Sequence, residues 1–134
     1  MAIRDGLFHF NAHYNNPSAA SLAEPLFFIA PYDCYIIAAN EAHTVKGTDG
    51  SAVWIQIEKL TGTQAPGAGT VLLGNNSNNG FDAKGNVNTV QYGTFKTGAS
   101  RKLSKGDRLA IKGTGTLTAL DGVVVMVTFA RRLA

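Results

Sequence analysis

Val53-Trp54-Ile55-Gln56-Ile57-Glu58-Lys59 alternates apolar and polar positions with a period of two. That is the pattern of a strand with one face in a core. Val53, Ile55 and Ile57 are expected to point inward, and Gln56 and Glu58 to face water. Trp54 falls in the outward set and is a candidate contact residue. The strand is bracketed by Lys46-Gly47-Thr48-Asp49-Gly50, which reads as a turn, and by the loop of residues 61–69 with its Gly, Thr and Pro.

Further strand signals extend in both directions from this one. Residues 25–30 are a short apolar run stopped by Pro31. Residues 34–44 are β-rich, with Tyr35, Ile37, Ala39 and Glu41 on one face. A short strand over 70–73 leads into an Asn-rich loop, 74–80. Strands follow at about 87–96, 101–103, 108–112 and 116–118, and Gly106 takes the turn between the second and third of these. Residues 123–129 are apolar on both faces, as expected of a central strand or one covered by a neighbouring subunit. No stretch has helical periodicity. Roughly eight or nine strands at this spacing predict an all-β, single-domain antiparallel sandwich.

Residues 1–24 read differently, as an N-terminal arm or a first strand ahead of a sandwich domain over 25–134. Phe8, Phe10 and Tyr14 are too few to form a core of their own, and such rings are buried either on a neighbour or on the same subunit.

Composition agrees with this reading. Apolar residues are 45% of the 134 and charged residues 16%, which suits one globular core and not a disordered chain. The single Cys, Cys34, excludes an internal disulfide and reads as a small buried hydrophobe. No apolar stretch reaches the ~20 residues of a membrane span, and no leader pattern precedes the domain, so folding in a cytoplasm is expected. The formal charge of +3 is uneven: residues 1–83 hold three basic and seven acidic side chains, and residues 84–134 hold nine and two. A basic half suits an acidic partner or the acidic half of a neighbouring copy.

No catalytic or cofactor-binding set emerges. His9 and His13 are four apart, but the segment between them lacks the Glu of a zinc-protease helix and looks extended, so no metal site is assigned. His43, near a turn, is expected to cap it or face solvent. Asp107 and Asp121 read as turn residues. Nucleic acid ranks behind a protein partner, because Lys96, Arg101, Lys102, Lys105, Arg108 and Lys112 are dispersed singly, with only Tyr92 and Phe95 near them to stack bases.

The series Ile29-Ala30-Pro31-Tyr32, residues 53–63, residues 88–94, Leu103-Ser104-Lys105-Gly106-Asp107-Arg108-Leu109-Ala110 and residues 116–125 resembles the small capsid cement (decoration) proteins of tailed bacteriophages. The resemblance covers about residues 25–130 and matches the N-terminal segment least. It implies a jelly-roll-like sandwich that assembles as a homotrimer on the outer capsid surface and bridges major capsid subunits, without enzymatic activity or cofactor. Phe8, Phe10, Tyr14, Trp54, Arg131 and Arg132 are the candidate assembly contacts. The rival reading is a carbohydrate- or receptor-binding module of a fibre or tail, using Trp54 and Tyr92 beside the Asn-rich loop.

Overall fold

The structure, a computed structural model, describes residues 7–14, 26–48, 50–115, 117 and 119–132. Its strands are β1 Leu7–Tyr14, β2 Leu26–Ile29, β3 Cys34–Ala42, β4 Trp54–Leu60, β5 Thr70–Val71, β6 Phe81–Asp82, β7 Gln91–Tyr92, β8 Lys102–Leu103, β9 Arg108–Thr114 and β10 Val123–Arg131. All pair antiparallel, in two sheets. One runs β1-β10-β3 and is completed by β7 and β8, which pair with different stretches of β3. The other runs β2-β9-β4 and is completed by β5 and β6, both on β4. Taking each pair of two-residue strands as one position leaves four positions per sheet, in the order of a jelly roll. The chain is therefore an all-β sandwich.

The core lies between the sheets. Ile55, Ile57, Leu109 and Ile111 face Ile36, Val125, Val127 and Phe129 across it, and all are buried. Each such side chain contributes about 1.5–3 kcal/mol by leaving water. Phe28 of β2 and Phe129 of β10 stack with centroids 4.2 Å apart, joining the sheets near their β1/β2 side. β10 is central, between β1 and β3. Its inward residues Val123, Val125, Val127 and Phe129 are buried, while Val124, Met126, Thr128 and Ala130 on the other face are half-buried.

Several expectations need correction. Gln56 and Glu58 do not face water: they are among the most buried polar residues. Long loops fold over the outer face of β4, and these two side chains fasten them. The Glu58 carboxylate accepts hydrogen bonds from the amides of Gly67 (2.8 Å) and Gly69 (3.1 Å). Gln56 accepts from the Leu73 amide and donates to the carbonyls of Leu73 and Asn78. The second contact holds the helical turn Asn75–Asn78, in which Asn76 and Ser77 take left-handed angles.

The single face drawn through Tyr35, Ile37, Ala39 and Glu41 is also broken. Pairing with β10 passes from Ile36↔Phe129 to Ala38↔Thr128, leaving Ile37 as the extra residue of a bulge. Tyr35 and Ile37 are consequently exposed, while Ala39 and Glu41 turn into the core. Of the strand expected over 87–96 only Gln91–Tyr92 forms, with Phe95 in an isolated bridge to Leu73; ahead of it Asn88 adopts a φ of 56° and interrupts the extended chain. Leu117 is a buried core residue outside any strand, and Thr116 and Thr118 lie outside the described residues.

Candidate interaction surfaces

β1 and β2 are the end strands of their sheets and lie on the same side of the sandwich. Phe10 meets Phe27 and Phe28 across the gap, at 6.2 and 5.8 Å between centroids. Phe8 stacks on Phe129 at 4.8 Å. Between the two edges runs a groove of about 460 Å³ lined by Phe8, Phe10, Leu26, Phe27, Ile29 and Pro31, among others. Phe10, Leu26 and Ile29 are exposed along it, Ile29 by 66%. β1 is eight residues long, LFHFNAHY, and carries no Lys, Arg, Asp or Glu. Edge strands are ordinarily blunted by charge, Pro or shortness, and β1 has none of these.

A second surface lies at the end where β3, β8 and β9 begin and β4 and β10 finish. Cys34 pairs with Leu103 and with Arg131, and Tyr35 with Lys102, gathering distant basic residues. Three arginines there are laid over rings: Arg131 over Tyr32 (4.5 Å), Arg101 over Phe95 (4.9 Å) and Arg132 over Tyr35 (5.5 Å). Lys102 and Lys105 are exposed beside them. Lys59 and Arg108 stand behind, donating to the carbonyls of Lys102 and Gly62. Among the described residues the only carboxylate within 4.0 Å of a cation at this end is Asp33, 3.8 Å from Arg132. Arg132 also donates to the Leu103 carbonyl, while its Nε is buried without an acceptor among the described residues. A shallow depression of about 550 Å³ opens here, with Tyr35, Ile37, Ala99 and Ala130 along it and Arg101 and Lys102 at its rim.

A buried polar cluster occupies the opposite end. His43 Nε2 donates to the Gly85 carbonyl at 2.7 Å, and Nδ1 lies 2.8 Å from Glu41 Oε2. Gln91 donates to the other Glu41 oxygen at 2.7 Å and to the Asp82 carbonyl. Both ring nitrogens face acceptors, which favours the doubly protonated ring. The hydrogen bond to Glu41 raises the His43 pKa, and burial opposes it. His43 is thus neither a solvated residue nor a simple cap. Cys34 is fully buried, and burial raises its thiol pKa, so little thiolate is available for chemistry. His9 and His13 lie four residues apart along β1, about 13 Å at strand rise, too far to share a metal ion. His9 instead contacts Thr128 Oγ1.

The six candidate contact residues separate into groups. Phe8 and Phe10 meet at the groove between β1 and β2. Tyr14 closes β1 opposite Val123, and its side chain lies outside the described residues. Arg131 and Arg132 belong to the basic end. Trp54 joins neither group: it starts β4, half-buried, opposite Thr114 and Asp82. Of the six basic residues weighed for nucleic-acid binding and expected to be dispersed, Arg101, Lys102, Lys105 and Arg108 converge, whereas Lys112 opposes Gln56 farther along β9. Leu26, Ile29, Tyr32 and Tyr35 were not among the candidate contacts; for the last three, only their place around Pro31 and Asp33, at a corner where the chain changes sheets, hinted at them. The edge is continuous with the basic end, because Tyr32 packs edge-on against Phe8 at 5.6 Å and carries Arg131 on its face. No protein-family model, curated protein or solved structure matches this chain.

Proposed function

We propose that the chain is a structural, non-enzymatic virion protein: a capsid cement protein that self-associates as a trimer and bridges major capsid subunits on the outer shell. The observation that carries this reading is the uncharged eight-residue edge strand β1, with Phe10, Leu26 and Ile29 exposed along its groove. A second copy is the occupant that suits it. The basic end repels a like-charged copy, whereas the edge groove is apolar and neutral and can be buried without an ionic cost. A contact that joins one copy's edge to a different surface of the next forms a ring where its rotation closes, and the resemblance to cement proteins supplies three as the number. Many weakly held trimers around a shell then act together. The test is the mass of the protein in solution, together with heating of shells prepared with and without it. A trimer and more resistant shells are expected. A monomer that leaves shell resistance unchanged would overturn the reading.

One observation favours the second reading, a carbohydrate-binding module. Tyr92 is 71% exposed beside the Asn-rich turn, whose Asn75 donates to the Tyr92 carbonyl and accepts from the Thr94 amide. Binding to defined sugars on a glycan array, lost in Tyr92→Ala, would favour it over cement.

A further inference from the structure

The basic end has features that self-association does not use. Arg101, Lys102, Lys105 and Arg131 are exposed there with half-buried Arg132, against two surface carboxylates, Asp33 and Asp107. Both carboxylates are engaged by backbone, Asp33 accepting from the Lys105 amide and Asp107 from the Ser104 amide. Glu58 of β4 is buried under the 61–69 loop. Among the described residues the end therefore keeps a surplus of cations over carboxylates.

Among the described residues, a second copy of the chain offers no matching acidic face. Among the described residues the solvent-accessible carboxylates are Asp33, Asp82, Asp107 and Asp121, and two of these lie at the basic end itself. A molecule richer in carboxylates than this chain's described surface suits the end better. Its class follows from the rings. Single-stranded nucleic acid binds by laying bases on open aromatic faces, but Tyr32, Tyr35 and Phe95 each already carry an arginine on a face. Stacking also holds the guanidinium forks in place before any partner arrives, which lowers the entropy lost when they take up a carboxylate. The depression along Tyr35, Ile37, Ala99 and Ala130 adds an apolar floor between cationic walls.

We propose that this end docks an acidic protein segment, its carboxylates on Arg101, Arg131 and Lys102 and one large apolar side chain in the depression beside Tyr35 and Ile37. The inference rests on the assembly reading for there being a protein partner, and under that reading the segment belongs to the shell subunit.

The experiment uses the full chain and two probes of equal charge: an acidic heptapeptide of Asp and Glu with one central Phe, and an oligothymidylate. Titrations followed by amide shifts are expected to move Tyr35, Ala99 and Arg101 with the peptide, more tightly than with the oligonucleotide. The double variant Arg101→Lys, Arg131→Lys keeps the charge on two exposed positions and removes the forks. It is expected to weaken the peptide about tenfold, as loss of a charge-assisted bond does, and to leave the oligonucleotide unchanged. Absence of peptide binding, tighter binding of the oligonucleotide, or undiminished peptide binding by the double variant would each overturn the proposal. Solution mass reads the edge and this titration reads the end, so a monomer that still binds the peptide defeats only the assembly reading.

Discussion

His43 Nδ1 lies 2.8 Å from Glu41 Oε2, two residues apart along the chain, and neither side chain reaches solvent. The hydrogen bond to Glu41 lifts the His43 pKa over the opposing effect of burial, and the Gly85 carbonyl and nearby Asp82 act in the same direction. A raised folded-state value means that the folded protein holds this proton more tightly than the unfolded chain does. Its stabilisation is complete below the unfolded value of about 6.5 and is lost as pH rises through the folded value. Melting temperature is thus expected to fall on the alkaline side, and His43→Gln to flatten that slope. Melts across a pH series, with an NMR titration of the ring, check this. A wild-type melting temperature that rises through the same range would refute it.

The Glu58 carboxylate is the fastening point of the 61–69 loop, since it accepts from both Gly67 and Gly69. In Glu58→Gln one acceptor oxygen becomes an NH2 group that must face a backbone amide. The expected cost is about 1–3 kcal/mol for the donor left unsatisfied. Amide exchange at Gly67 and Gly69 should accelerate more than exchange in β10. Unchanged protection of both glycines would mean the loop is held by other contacts.

The β4 alternation was readable as a strand, and so was the apolar run that became β10, because burial of one face leaves its mark on the local pattern. The fate of the other β4 face was not readable. Gln56 and Glu58 look solvent-facing until loops from residues 61–80 arrive over them, and no local pattern reports that. The bulge at Ile37 was equally silent, since one inserted residue leaves a plausible alternation on either side. For the surfaces, the basic character of residues 84–134 was plain. Its concentration at one end was not, because it depends on Cys34 pairing with both Leu103 and Arg131. Phe8 and Phe10 stood out as rings without a local core, but their partners Phe27, Phe28 and Phe129 follow only from how the two sheets close.

Gly80 and Gly98 both take positive φ, 107° and 82°, yet differ in what a side chain would meet. At Gly98 an added Cβ meets nothing within 4 Å, whereas at Gly80 it would run into the Ile55 carbonyl. Gly98→Ala is expected to cost about 1 kcal/mol, the conformational term alone. Gly80→Ala adds a backbone collision that must displace the Asn-rich turn from β4, and should cost at least about 2 kcal/mol more. Urea unfolding of the two variants compares them directly. Equal losses would mean that the turn shifts freely and that Gln56 does not hold it.

Ile29 and Tyr92 are a matched pair for testing the β1/β2 edge, being 66% and 71% exposed but lying on different parts of the sandwich. Lysine at either position disturbs little packing, so both variants should fold with melting temperatures near wild type. They should differ in association. If β1 and β2 meet a second copy, Ile29→Lys buries an unpaired ammonium at every contact, a like-for-like cost of several kcal/mol. Self-association should weaken at least about tenfold, since each 1.4 kcal/mol is worth that factor, and sedimentation should show a monomer at concentrations where wild type remains assembled. Tyr92→Lys should sediment as wild type does. If both variants keep the wild-type mass, the edge is not the contact. If Tyr92→Lys alone dissociates, self-association runs through β7 and the Asn-rich turn, and the apolar groove beside Ile29 serves some other partner.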